Sequence, residues 1–191
     1  ARGELIGLLN AGDSYEPEAV ASIVSAYLAS PGTDVFCGSI RLSEPQGLVV
    51  ECLSSPARLD KETSVYPTVF VRRSAYDKFG LFDLRYKYAM DYELLLRYKR
   101  SGAIFRVLNA HLANMELDGL SSVNWYHGLS EVRMARSVYF GALDVAYHHV
   151  RAIILNVLSR SLKRFGFSGV YRSYWHYRNQ RSIQRGVQPK G

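Results

Sequence analysis

Short apolar segments alternate with helical patterns between residues 4 and 109, and this alternation restricts the chain to an α/β fold. The stretch at 4–9 predicts a strand, which the corner Asn10-Ala11-Gly12-Asp13 separates from a helix that begins near Pro17 and ends at 30–32. Segments 34–42 and 47–53 are typical of the two strands of a hairpin. Further strands are predicted at 64–73 and 103–109, and the pattern is helical from Asn124 onward.

Two more helices have recognisable ends. Segment 74–80 has Ser74 and Asp77 in capping-box spacing and stops at Gly80, which predicts a short helix. Segment 90–102 predicts a longer helix that Asp91 caps and Gly102 terminates. Asp91 is therefore expected at a helix N-terminus, where the ionised carboxylate is stabilised.

Length, composition and cysteine count bound the class of protein. The 191 residues, of which 48% are hydrophobic, suffice for one domain with an appendage. The opening sequence contains no secretory signal, and no stretch reaches the roughly 18–20 apolar residues of a membrane-spanning helix. Two cysteines make neither a disulfide framework nor a zinc site, which favours a reducing compartment such as the cytoplasm. A hairpin that paired Leu42 with Gly47 would set Cys37 opposite Cys52.

Charge is distributed unevenly along the chain. Nine of the 24 Lys and Arg residues, and no Asp or Glu, follow Asp144, whereas residues 1–144 carry 15 basic and 17 acidic groups. A basic end of this kind is typical of a protein that meets a polyanion, and a merely solvated end is the alternative.

Residues 145–185 combine this basic charge with an apolar stripe at helical spacing. The pattern predicts a helix that holds the protein against an anionic membrane, with core packing or dimerisation as the alternatives. The stripe consists of Ile154, Leu155, Leu158, Leu162 and Phe165, and the basic residues beside it are Arg160, Lys163 and Arg164.

The corner at 10–13 is a candidate binding site. In open α/β sheets ligands bind beyond the carboxyl ends of strands, and a Gly beside an Asp lets backbone and carboxylate approach a phosphate or a metal together. A plain turn is the alternative, because Asn, Gly and Asp are ordinary turn residues.

This corner and the motifs after it stand in a characteristic order along the chain. They are Asn10-Ala11-Gly12-Asp13, Arg72-Arg73, Gly80-Leu81-Phe82-Asp83, Met90-Asp91-Tyr92-Glu93-Leu94, Arg97 and Asp118-Gly119-Leu120-Ser121. In order and spacing, residues 3–125 resemble the family 2 inverting glycosyltransferases of the GT-A fold. That family has acidic residues at the positions of Asn10 and Gly12, and a glutamate at the position of Met90.

The resemblance implies a fold and a domain organisation. Residues 1–125 would form a partial GT-A domain, a Rossmann-like mixed sheet flanked by helices, and residues 126–191 a helical, basic C-terminal extension. The family's opening strands, which hold the nucleotide base and ribose, would precede Ala1. The 191 residues alone are therefore expected to be inactive.

The resemblance also implies an activity. A sugar would pass from a nucleotide-diphosphate donor to an acceptor hydroxyl with inversion, in the synthesis of a cell-surface polysaccharide or glycolipid. The acceptor would be a glycan or a lipid-linked molecule, and the enzyme a cytoplasmic protein, peripheral on the cytoplasmic face of the membrane.

Individual residues receive roles from the same resemblance. Asp91 is the implied catalytic base, and Gly119 and Ser121 are implied on the acceptor side. The donor diphosphate would meet Asn10, Gly12 and Asp13, with Asp13 as the ligand of a Mg²⁺ or Mn²⁺ ion.

Alternatives remain open at this point. Asp91 can serve purely as a helix cap, and Arg97 can pair with Glu93 rather than bind phosphate. The second functional hypothesis is a non-catalytic binding module, in which the basic and aromatic segment 168–185 binds nucleic acid.

Overall fold

A mixed six-stranded sheet organises the described part of the chain, which comprises residues 1–43, 49–61, 68–116 and 124–164 of a computed structural model. The strands are β1 (Leu5–Gly7), β2 (Ser14–Tyr15), β3 (Val35–Ser43), β4 (Val49–Leu53), β5 (Phe70–Arg72) and β6 (Phe105–Glu116). Their order is β1-β5-β3-β6-β2, and β4 pairs with β3. The α/β prediction is confirmed.

Five α-helices and one 3₁₀ helix accompany these strands in the described residues. The α-helices are α1 (Ala19–Leu28), α2 (Arg73–Phe79), α3 (Met90–Arg100), α4 (Trp125–Ser137) and α5 (Ala142–Arg164), and the 3₁₀ helix spans Pro56–Asp60. The predicted helices after Pro17, at 74–80 and at 90–102 are thus confirmed, with ends that shift by one or two residues.

Strand direction is fixed by the pairing. β3 and β6 are parallel, while β5 is antiparallel to both β3 and β1. It follows that β1, β3 and β6 run in the same direction, and their carboxyl ends share one edge of the sheet.

Helices cover both faces of the sheet because side chains alternate along the strands. On β3, Val35 belongs to a cluster that includes Leu95 and Leu96 of α3, whereas Phe36 belongs to a cluster that includes Ile23 of α1. Ala135 joins the first cluster, so α4 packs on the same core. The predicted domain boundary at residue 125 stays a prediction.

The β3–β4 hairpin is confirmed, with a register other than the Leu42–Gly47 pairing that would set the two cysteines opposite each other. Leu42 pairs with Val50, and Cys52 lies opposite Ile40 rather than Cys37. Both cysteines are buried, and burial raises the pKa of the Cys37 thiol to about 12. Residues 44–48, which connect the strands, lie outside the described part.

Two predicted helix caps are wrong. α2 begins at Arg73 with Arg72 in the N-cap position, so Ser74 is already inside the helix. Ala89 occupies the N-cap position of α3, which places Asp91 in the first helical turn. The predicted stop at Gly80 is confirmed, with φ +90° at this C-cap.

α4 and α5 form an antiparallel helical pair after the sheet. The helical prediction from Asn124 onward is confirmed as far as Arg164, and the tail at 165–191 lies outside the described residues. In the segments that the structure describes, no helix combines the length and apolarity needed to cross a bilayer.

Candidate functional site

The turn after β1 opens its glycine toward free space. The Asp13 N–H donates to the Asn10 carbonyl over 3.1 Å and closes the turn. Gly12 has φ +93°, a region that side chains rarely adopt, and nothing lies within 4 Å of the position a Cβ would take. Asn10 and Gly12 are exposed and Asp13 is half-buried. A ligand can therefore approach the backbone of this turn closely.

Packing fixes both flanks of this turn. A Cβ at Gly7 would lie 2.6 Å from the Phe70 ring, so β1 and β5 can approach only because residue 7 is glycine. On the far side, the Tyr15 hydroxyl donates to the Leu8 carbonyl over 3.3 Å, and its ring packs 5.1 Å from that of Phe70. The turn is thus supported by residues on either side.

Asp13 and Glu16, the next acid along the chain, differ in their surroundings. Burial, and after it the charge of Asp13, raise the pKa of the Tyr15 hydroxyl. Glu16 is engaged elsewhere, since its Oε1 accepts from Asn114 over 2.9 Å and lies 3.5 Å from an Arg41 nitrogen. Asp13 is therefore the carboxylate that belongs to the turn itself.

The predicted metal ion has limited support from the protein. Within the described ranges, no group of three or more His, Cys, Asp or Glu side chains converges on one point. Magnesium keeps several waters and is commonly held by one or two carboxylates together with substrate phosphates. The residues fit a metal only in that form, with Asp13 as the one protein carboxylate of the turn.

Asp91 lies in the first turn of α3, and its charge is only partly compensated. Its Oδ1 accepts from the Tyr92 N–H over 2.7 Å. The residue is exposed, but its carboxyl group is incompletely hydrated. This loss of water raises the pKa of Asp91, and hydrogen bonds from the backbone of Tyr92 and of Asp91 itself lower it by less. Such a carboxyl group holds its proton more strongly than an ordinary aspartate.

Glu131 of α4 anchors the start of α3, a role that the sequence did not reveal. Its carboxylate accepts from three consecutive backbone N–H groups, those of Lys87, Tyr88 and Ala89, over 2.7–3.0 Å. The acceptor comes from a residue more than 40 positions away, so no local capping pattern can show it. Glu131 thereby holds the segment that carries Asp91.

Arg97 and Glu93 fix the position of α3 through contacts further along the helix. The Arg97 Nε donates to Glu93 over 2.8 Å, and its terminal nitrogens donate to the carbonyls of Phe79 and Leu81. A Cβ at Gly80 would lie 3.0 Å from the guanidinium. The predicted Arg97–Glu93 pair is confirmed, and it ties α3 to the turn after α2.

The arginines after β5 make structural contacts. The Arg72 Nε donates to the Thr33 carbonyl over 2.9 Å, and its guanidinium lies 4.2 Å from the centre of the Tyr27 ring. Arg73 donates to the carbonyls of Ala1 and Gly3. Both side chains connect β5 to neighbouring segments.

The turn at 10–13 and the N-terminus of α3 both lie toward the carboxyl ends of the parallel strands. The turn at 10–13 follows β1, whose carboxyl end shares an edge with those of β3 and β6. α3 enters β6 through residues 101–104, so it runs opposite to β6 and its N-terminus points toward that edge. The predicted acceptor-side residues Gly119 and Ser121 lie outside the described residues.

The predicted stripe on α5 divides between two faces. Ile154 and Leu158 are exposed, whereas Leu155 lines a cavity against α4 and Leu162 is half-buried. The exposed apolar face continues in Leu143, Tyr147, Val150 and Val157. The expected membrane contact of this helix stays a prediction.

No protein-family model matches the sequence, and no curated protein matches it significantly. The resemblance to family 2 glycosyltransferases therefore rests on the order and spacing of the motifs themselves.

Proposed function

We propose that this chain belongs to an inverting glycosyltransferase in which Asp91 is the general base and the turn at 10–13 faces the donor diphosphate. The single observation that carries the proposal is the environment of Asp91. Asp91 is exposed in the first turn of α3, loss of water around its carboxyl group raises its pKa, and its charge has no cationic partner in any ion pair of the described residues. Groups in such surroundings are common at catalytic sites.

The unpaired side of β1 supports the same proposal. Within the described sheet β1 pairs only with β5, which leaves its outer backbone groups open to another strand. Leu8 and Leu9, which follow β1, are 45% and 43% exposed. Additional strands at this edge would cover these leucines and complete a donor site beside the turn.

In the proposed reaction Asp91 takes the proton from an acceptor hydroxyl. The oxygen attacks the anomeric carbon while the bond from that carbon to the diphosphate oxygen breaks. The nucleoside diphosphate departs from the opposite face with the bonding electrons, so the configuration inverts. A base positioned in this way contributes about 10²–10⁴-fold to the rate. A raised pKa makes Asp91 a stronger base than an ordinary aspartate.

The turn at 10–13 would meet the charge of the leaving diphosphate. The backbone at Gly12 is open to close approach, and Asn10 offers an exposed amide. A divalent cation, when bound, would neutralise the diphosphate, with Asp13 as its protein ligand.

The test compares Asp91→Asn with Asp77→Asn in the complete gene product. Asp77 is an exposed acid on α2 and serves as the matched control. The assay supplies UDP-, GDP- and dTDP-sugars with saccharide acceptors and measures release of the nucleoside diphosphate. We expect Asp91→Asn to lower transfer by at least about 10²-fold, with nucleoside diphosphate affinity within about twofold of the parent. Asp77→Asn should keep full activity.

Two results would contradict the proposal. One is retention of more than about a tenth of the activity by Asp91→Asn, since a general base contributes more than that. The other is a gene product that neither binds nor turns over any of these donors.

A further inference from the structure

A basic cavity lies between α4 and α5. Its volume is about 100 Å³, room for several water molecules. Apolar side chains such as Leu129, Val132 and Leu155 form part of its wall. Four permanent cations line it as well, namely Lys61, Arg133, Arg136 and Arg151.

Most of this positive charge has no acidic partner. Lys61, Arg133 and Arg151 are exposed and form no ion pair with any acid of the described residues. Asp144 lies beside Arg136, with its carboxylate 2.5 Å from a terminal nitrogen of the guanidinium. Three of the four cations that line the cavity therefore have no ion-pair partner among the described residues.

Arg136 contributes a buried donor to the same wall. The side chain is only 2% exposed, and its terminal nitrogens donate to Asp144 and to the Asp60 carbonyl. Its Nε is buried without a hydrogen-bond acceptor among the described residues, while the guanidinium also interacts with the Tyr92 hydroxyl. An unsatisfied, charged donor in such a position is unusual for a purely structural residue.

The pKa values of His148 and His149, which line the cavity, reflect the positive charge around them. Burial, followed by the charge of Arg136, lowers the pKa of His148, and Lys61 and Arg151 lower it further, against the opposite effect of Asp144. Burial, followed by the charge of Arg133, lowers the pKa of His149, against a backbone hydrogen bond with Leu129. Both imidazoles sit in a region of excess positive charge.

We propose that this cavity is a binding site for a phosphoryl group, either inorganic phosphate or the phosphomonoester of a lipid headgroup. Arginine forks match the oxygens of phosphate, and lysine adds a point charge. Several mutually repelling cations around one cavity are stabilised when a multivalent anion binds among them. The volume suits a single phosphoryl group. This site is independent of the glycosyltransferase proposal.

The test uses the 191-residue chain and two triple variants of equal charge. Lys61→Gln/Arg133→Gln/Arg151→Gln removes the unpaired cations of the cavity and leaves Arg136 in place. Arg2→Gln/Lys78→Gln/Lys87→Gln removes three exposed cations elsewhere and is the matched control. Calorimetric titration with inorganic phosphate is compared with chloride at equal ionic strength and pH 7. Thermal unfolding confirms that both variants remain folded.

We expect saturable phosphate binding that weakens at least about tenfold in the cavity variant and less than about threefold in the control. Vesicles of phosphatidylcholine with and without phosphatidic acid then distinguish the two sources of the group. Binding to phosphatidic acid vesicles that phosphate displaces assigns a lipid headgroup, and phosphate binding alone assigns the free anion. Equal losses in the two variants, or no saturable binding of either probe, would overturn the proposal.

Discussion

Asp91 and Arg136 are both charged residues on helices, yet the fold treats the two charges differently. Arg136 is 2% exposed and its terminal nitrogens reach the Asp144 carboxylate and the Asp60 carbonyl. Asp91 accepts backbone hydrogen bonds but has no cationic partner among the described ion pairs, and desolvation raises its pKa. The fold thus stabilises the guanidinium and disfavours the carboxylate.

This difference separates a charge that the protein pairs from one that has no ion pair among the described residues. A buried ion that the protein pairs contributes to stability only while its partners remain, so its removal is costly. A carboxylate whose pKa the fold raises lowers the stability at neutral pH, and its presence needs another explanation. Catalysis is the explanation that we propose for Asp91.

The largest expected effect on stability is that of Arg136→Met. This change keeps a long apolar side chain but removes the donors to Asp144 and Asp60 and the contact with the Phe140 ring, whose centre lies 4.4 Å away. Breaking a buried ion pair costs about 3–5 kcal/mol, and the 45% exposure of Asp144 reduces this to about 2–3 kcal/mol. Chemical denaturation measures the loss.

The matched control for this prediction is Arg133→Met. Arg133 lies one turn earlier on α4, is exposed and forms no ion pair in the described structure. Its substitution should change the free energy of unfolding by less than about 0.5 kcal/mol. Equal losses of unfolding free energy in the two variants would show that the ion pair of Arg136 contributes no more to stability than an unpaired surface charge.

A smaller effect is expected from Glu131→Gln. The variant keeps one oxygen acceptor but loses the negative charge that faces the N–H groups of Lys87, Tyr88 and Ala89. A loss of about 1 kcal/mol is expected, similar to the loss of a helix cap. Glu18→Gln is the control, because Glu18 occupies the N-cap of α1 without a side-chain capping bond. Equal denaturation midpoints for the two variants would show that Glu131 does not anchor α3.

Local features of the sequence predicted much of the fold and the turn of the candidate site. The Asn10–Asp13 corner, the helix after Pro17 and the stop at Gly80 each depend on residues close together in the chain. Gly12 and Gly80 adopt the positive φ that such positions favour. These features were accessible because turn and cap chemistry acts over a few residues.

Features that depend on distant residues were not predictable in the same way. Asp91 was expected to cap α3, but Glu131 reaches the segment before that helix from α4. The hairpin register differs by three residues from the Leu42–Gly47 pairing, since strand pairing is set by the whole sheet and not by the turn alone. The basic cavity combines Lys61 with two helices that begin more than 60 residues later.

The central claim is that Asp91 serves function at the expense of stability, and the pH dependence of unfolding for Asp91→Asn tests it most directly. The folded chain raises the pKa of Asp91 above its unfolded value of about 3.9, so the native state holds this proton more tightly. The resulting penalty is absent below the unfolded pKa, grows as the pH rises toward the folded pKa, and is complete above it. Asparagine removes the ionisation and keeps an oxygen that can accept from Tyr92.

We therefore predict a higher free energy of unfolding for Asp91→Asn than for the parent at pH 7. The difference should shrink as the pH falls and vanish below about pH 4. Urea denaturation of both proteins across this pH range gives the measurement. A variant less stable than the parent at pH 7 by about 1 kcal/mol, the usual cost of a lost helix cap, would show that Asp91 is a structural residue and contradict the account.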